Sequence, residues 1–168
     1  MSDSGSSRGA VVATLPDWLF TACGLSWGAA LIHISAAIGH VHESGLYVLF
    51  FALLAPTQLA WGFLVCRRST RELLLAGAAL SLLVAAVWLM SRTTGLPVGP
   101  EPWRPEAVGA VDAIATADEL ALTLLVWLYG FSGLRGRAVT ALGVGARVGG
   151  IALVILSSLA LLAAGHST

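Results

Sequence analysis

The chain has 168 residues, 57% of them hydrophobic and only 11% charged, with nine basic residues balancing nine acidic ones. So little charge cannot cover the surface of a soluble domain of this length. The zero net charge gives no footing to a nucleic-acid partner. This composition fits a chain solvated by lipid.

In chain order, residues 1–16 are rich in Ser and Gly and are expected to form a flexible cytoplasmic segment. Asp17 precedes the first apolar run, and that run is long and carries His33 near its end, which does not suit a secretory signal. Five apolar blocks follow, at about 18–39, 46–65, 73–90, 108–131 and 148–164. Each is close to the roughly 17–25 residues a helix needs to cross hydrocarbon. Only helices and closed barrels satisfy their backbone groups inside lipid, and barrel strands would alternate apolar and polar residues, which these blocks do not. The expected fold is therefore all-α: a polytopic transmembrane helical bundle of five spans in one domain, 17–165.

Loop arginines set the orientation. Arg8, Arg67, Arg68, Arg71, Arg135, Arg137 and Arg147 fall on one side of the expected membrane, and only Arg92 and Arg104 on the other. This predicts an N-in, C-out multi-pass membrane protein. The segment 92–105, "RTTGLPVGPEPWRP", is too rich in Pro and Gly to be helical and should lie as a stiff cover over the outer helix ends.

Against this apolar background the ionisable residues are conspicuous. "HISAAIGHVHESG" places His33, His40, His42 and Glu43 at the outer end of the first block. His33 and His40 are two turns apart on nearly one angle, about 10 Å along the axis. On the opposite side Gly24 and Gly28 have the spacing that lets a second helix approach, whether from this bundle, a second copy or a larger complex. In the fourth block Asp112, Thr116, Glu119 and Thr123 follow an i, i+4, i+7, i+11 stripe, with Asp118 off it by more than a quarter turn. A carboxylate at the centre of a membrane helix costs about 3 kcal/mol or more, so the stripe must face protein or trapped water. Antiparallel matching puts His33 at a depth between Asp112 and Glu119. Gln58, after a kink expected at Pro56, and Arg92 can join them. The expectation is one outward-opening cavity with His33, Asp112 and Glu119 at its core and His40, His42 and Glu43 at its rim.

The pattern His33…His40-x-His42-Glu43, then "FFALLAPTQLAWG", then "RTTGLPVGPEPWRPEAVGAVDAIATADEL", resembles a family of small bacterial polytopic membrane proteins over roughly residues 30–125. The resemblance implies that His33, His40, Glu43, Gln58, Arg92, Pro97, Gly99, Pro100, Glu106, Asp112 and Glu119 sit at the family's patterned positions. It supports the architecture and carries over no activity.

Two chemistries compete for the polar cluster. His33, His40, Asp112 and Glu119 could ligate one divalent transition metal (Zn, Fe, Mn or Cu(II)), with His42 and Glu43 at the rim. No histidine pair has the i, i+4 spacing of a preformed helical site, however. The alternative is a metal-free network in which His33 bonds Asp112 or Glu119 and Arg92 pairs with Glu106 or Glu43, supported by Gln58, either fixing the packing or relaying protons. His33 has no mate at equal depth for a haem, no nucleophile motif points to an enzyme, and no inverted repeat or broken helix pair points to a transporter. Cys23 and Cys66 read as small buried residues near the cytoplasmic face. The function expected from all this is binding, sensing or support of a membrane complex.

Overall fold

The computed structural model describes residues 16–132, and every described element is helical. The expected N-terminal segment, apart from Pro16, and the fifth span at 148–164 lie outside the described residues. Helix α1 is Asp17–Gly39, α2 Gly45–Arg67, α3 Arg71–Thr93 and α4 Ala110–Leu125, which runs on into a π-helical segment, Val126–Phe131. Three of them, α1 to α3, are long and apolar enough to cross a membrane. Their ends fall within a few residues of the first three expected blocks. The fourth block is divided: its apolar end keeps winding but loosens into the π form.

Sequence explains the boundaries. The Thr70 hydroxyl caps α3 by accepting from the Leu73 amide (3.3 Å). Between α1 and α2, "HVHES" closes a tight turn in which the Glu43 and Ser44 amides donate to the His40 carbonyl. Pro56 lies inside α2, which stays one helix from end to end. The Pro/Gly-rich segment after α3 folds back on itself: Gly95 and Gly99 take positive φ (76° and 120°), the Trp103 amide donates to the Leu96 carbonyl (2.7 Å), and the Glu106 amide donates to the Ser91 carbonyl (3.0 Å). Gly99 is required where it is, because a Cβ there would run into the Tyr47 ring and hydroxyl.

Helix α1 packs chiefly on α2 and then on α4; α3 packs on α4; α2 and α3 are the least packed neighbours. At the end holding Asp17, Arg67 and Arg71, an apolar core closes the bundle around Leu19, Cys23, Leu25, Trp61, Val65, Leu122 and Val126. Aromatic rings on glycines lock this half. Trp61 lies where a Cβ of Gly77 would be, and its indole N–H donates to the Leu73 carbonyl (2.7 Å); Trp27 covers Gly62 in the same way. Gly24, by contrast, would meet nothing within 4 Å if it carried a Cβ, so no described helix uses it for close approach. Gly62 on α2 and Gly77 on α3 are the glycines that the tryptophans approach.

The burial pattern is inverted relative to a protein in water. Leu53, Leu83 and Trp127 are 60% or more exposed, while Gln58, Asp118 and Glu119 are 3% or less. Apolar surface outside and ionisable groups inside is the distribution that lipid selects.

Cys23 and Cys66 face each other across α1 and α2 as free thiols, Sγ to Sγ 2.8 Å. Mild oxidation of the membrane-embedded protein should therefore join them within one chain, detected as loss of two hydrogens by intact mass and as loss of both thiols to alkylation. Two thiols that remain fully alkylatable after oxidation would show that α1 and α2 pack in a different register.

Candidate functional site

Above the apolar core the four helices spread. The space between them, roofed by Leu96, Pro97 and Val98 of the α3–α4 loop, is a cavity of about 360 Å³. The segment expected to lie over the helix ends thus forms one wall of the cavity. Trp103 at the loop's outer tip is 65% exposed.

Two polar networks occupy this half. The deeper one is a bridge. The Gln58 amide N–H donates to Glu119 Oε1, and the Gln58 carbonyl oxygen lies 2.8 Å from His33 Nδ1. The amide is held in place by its own backbone, since the Gln58 carbonyl accepts from the Ser26 hydroxyl (2.9 Å). Ser81 of α3 lies within hydrogen-bonding reach of the same Glu119 carboxyl. With the amide N–H spent on the carboxylate, Gln58 can only accept from His33. The neutral imidazole then carries its proton on Nδ1 and a lone pair on Nε2, an assignment that follows from the network. Nε2 has no partner among the described residues, and His33 lines the cavity.

The outer network is an ion cluster under the cover. Arg92 Nη1 donates to Glu106 Oε2 (2.7 Å) and Nη2 to Asp112 Oδ2 (2.6 Å), so one guanidinium joins the end of α3, the loop and the start of α4. The Tyr47 hydroxyl donates to Glu106 Oε1 (3.1 Å) and ties in α2. His40 Nδ1 lies 2.7 Å from Glu43 Oε2 at the rim. His42, expected beside it, is exposed and outside the cavity wall.

The residues expected to meet do not all meet. Among the described residues no three of His, Cys, Asp and Glu are placed to hold a metal ion. The reason is visible for each candidate ligand. His33 is joined to Gln58, His40 to Glu43, Asp112 to Arg92 and Glu119 to Gln58. The Phe51 ring is stacked on His33 (centroids 5.5 Å apart) and on His40 (5.8 Å), so a hydrocarbon ring links the two imidazoles of α1. The direct bond expected from His33 to Asp112 or Glu119 is replaced by one through Gln58. Arg92 takes Glu106, as expected, but its second partner is Asp112 rather than Glu43.

Two features were not legible from spacing. Phe51 reads as one more apolar residue of the second block. Asp118, off the polar stripe, is as buried as Glu119, and neither of its carboxyl oxygens has a hydrogen-bond partner among the described residues. Its burial was foreshadowed only by the run Asp118-Glu119, which forces two angles of α4 to be sheltered from lipid.

No family model, no curated protein and no solved structure matches the chain.

Proposed function

We propose that this chain is a five-span, N-in, C-out protein of a bacterial cytoplasmic membrane, kin to the small polytopic proteins its motifs resemble, and that it binds a small molecule in the cavity beneath the 92–105 cover. The cavity itself carries the reading. Its volume of about 360 Å³ lies within the roughly 300–1,000 Å³ of small-molecule sites, and apolar walls with a few convergent polar groups are their usual lining. Ionisable groups held inside a membrane bundle are expensive and mark functional positions. The arginine asymmetry supports the orientation, and it would put the cover and cavity mouth on the outer face.

The metal reading has no comparable support, because among the described residues no three of its ligand side chains are grouped closely enough to share an ion. A metal-free network that builds the cavity wall accounts for the same residues.

Cysteine labelling tests orientation and opening together. In a chain with Cys23 and Cys66 replaced by serine, Trp103→Cys and the cavity-lining Thr116→Cys should react in intact cells with a membrane-impermeant thiol reagent, and Ser69→Cys should not. The added substitution Ala36→Phe, which fills the cavity, should slow Thr116→Cys at least tenfold and leave Trp103→Cys unchanged. Labelling of Ser69→Cys without Trp103→Cys would invert the topology. A Thr116→Cys that never reacts from outside would sink the outward-open cavity.

A further inference from the structure

The cavity's open hydrogen-bonding valences are mainly acceptors. Its hydroxyl donors are already spent on protein acceptors. Thr116 donates to the Asp112 carbonyl (3.0 Å), Ser91 to the Trp88 carbonyl (2.7 Å) and Tyr47 to Glu106 (3.1 Å). Arg92 has given Nη1 and Nη2 to two carboxylates. The donors without a partner among the described residues, Arg92 Nε and the Trp88 indole N–H, are buried atoms out of reach of anything entering. The acceptors, in contrast, are unspent. Asp112 lines the cavity with Oδ1 free of hydrogen bonds while Oδ2 holds Arg92, and its side chain is 39% exposed. His33 presents the Nε2 lone pair derived above. His40 also lines the cavity, but the Phe51 ring stacked on both imidazoles separates it from His33.

Charge points the same way. The cavity wall carries one cation, Arg92, against two carboxylates, Glu106 and Asp112. An incoming anion would have to compete with both for a guanidinium they already chelate. The rings of Tyr47 and Phe50 line the same space, and ring faces attract cations.

The shape adds the other half of the ligand. Helices α2 and α3 are joined at the Trp61–Leu73 end and separate above it, and Phe50, Val87 and Met90 line the gap. Phe50 and Met90 are each 38% exposed on the lipid-facing side. The cavity is therefore a cleft with apolar sides and an acceptor-rich, net negative end.

Deepening the binding function proposed above, and resting on it, we propose that the cavity binds a cationic amphiphile. A protonated amine sits against Asp112 Oδ1, and a hydrocarbon body lies along the α2–α3 cleft. The amine N–H groups supply the donors that the wall lacks. The aromatic rings shield the charge from lipid, and the hydrocarbon replaces acyl chains in the gap.

The test uses the full chain in nanodiscs of phosphatidylcholine, titrated calorimetrically with decylammonium, decanoate and decanol, with empty nanodiscs subtracted for partitioning. Saturable binding of decylammonium at least tenfold tighter than that of decanoate supports the proposal. Asp112→Asn should weaken decylammonium at least tenfold, and Ala36→Phe, which touches no charge, should abolish its saturable binding. Asp112 also holds Arg92, so where the Asn variant unfolds, the decylammonium–decanoate comparison on the unaltered chain decides. Decanoate or decanol binding as tightly as decylammonium overturns the cationic assignment and leaves the binding function standing. Decylammonium binding that survives Ala36→Phe unchanged moves the ligand out of the cavity and overturns the proposal. If none of the three probes binds saturably, the binding function falls with it.

Discussion

Gln58→Leu is expected to destabilise the bundle more than any other single change of a polar residue. The substitution conserves volume and is apolar, so on hydropathy alone it should suit a membrane helix. It removes the one side chain that serves both His33 and Glu119, which are 4% and 1% exposed. A buried polar group stripped of its partner costs about 1–3 kcal/mol, and stripping a buried charged group costs about 3–5 kcal/mol. Polar contacts between membrane helices average only about 0.6 kcal/mol in double-mutant cycles, but that is the worth of a pair whose partners can find substitutes. His33 and Glu119 are enclosed and have few. A loss of about 3 kcal/mol in reversible unfolding from detergent is the expected result. Gln58→Leu combined with Glu119→Leu should recover part of it, because no stranded carboxyl remains while His33 Nδ1 still lacks its acceptor. A single substitution costing less than about 0.5 kcal/mol would mean that the bridge does not hold α1, α2 and α4 together.

Arg92→Met should release the cover. The methionine keeps much of the arginine stem's packing but leaves Glu106 and Asp112 as two uncompensated carboxylates held by the same piece of structure. Their side chains are 40% and 39% exposed, so solvent screens much of the repulsion. The global cost is accordingly about 1–2 kcal/mol rather than that of a fully buried pair. The local effect is larger. The Glu106 amide bonded to Ser91 and the Trp103 amide bonded to Leu96 hold the cover closed, and their hydrogen exchange should accelerate at least tenfold while amides of the Leu19–Leu25 core stay protected. Arg92→Lys should not rescue them, since a single ammonium cannot reproduce the two-pronged grip of the guanidinium. Glu106→Gln added to Arg92→Met should restore part of the protection. Unchanged exchange in Arg92→Met would show that the prolines and the positive-φ glycines hold the cover without the ion cluster.

The two variants probe parts of the molecule that were unequally readable beforehand. The apolar blocks placed the ends of α1, α2 and α3 to within a few residues, because a bilayer imposes a minimum uninterrupted length that few other constraints mimic. The stripe Asp112, Thr116, Glu119, Thr123 marked a sheltered face of α4, and the structure buries Thr116 and Glu119 while the Asp112 side chain stays 39% exposed. The same spacing suggested that Asp112 and Glu119 would serve one site. They serve two: Glu119 joins Gln58 in the bundle's centre, and Asp112 joins Arg92 beneath the cover. Gln58 was expected to support the cluster, and it proves to be the piece through which α1 and α4 communicate. Gly24 and Gly28 had the motif, but Gly62 and Gly77 receive the tryptophans.

By itself the sequence determined that the described chain is helical, how long each apolar helix is, which residues cannot face lipid, and where the chain must turn. Each of these follows from a helix's own periodicity and from the cost of placing a polar group in hydrocarbon, and both are local properties. Only the tertiary structure decided which sheltered group meets which. That choice depends on how far each helix is rotated and shifted against its neighbours, and on whether an amide, a guanidinium or the Phe51 ring reaches the space between them. A difference of one side chain's length there turns a set of candidate metal ligands into a hydrogen-bonded bridge and an ion cluster on either side of a cavity.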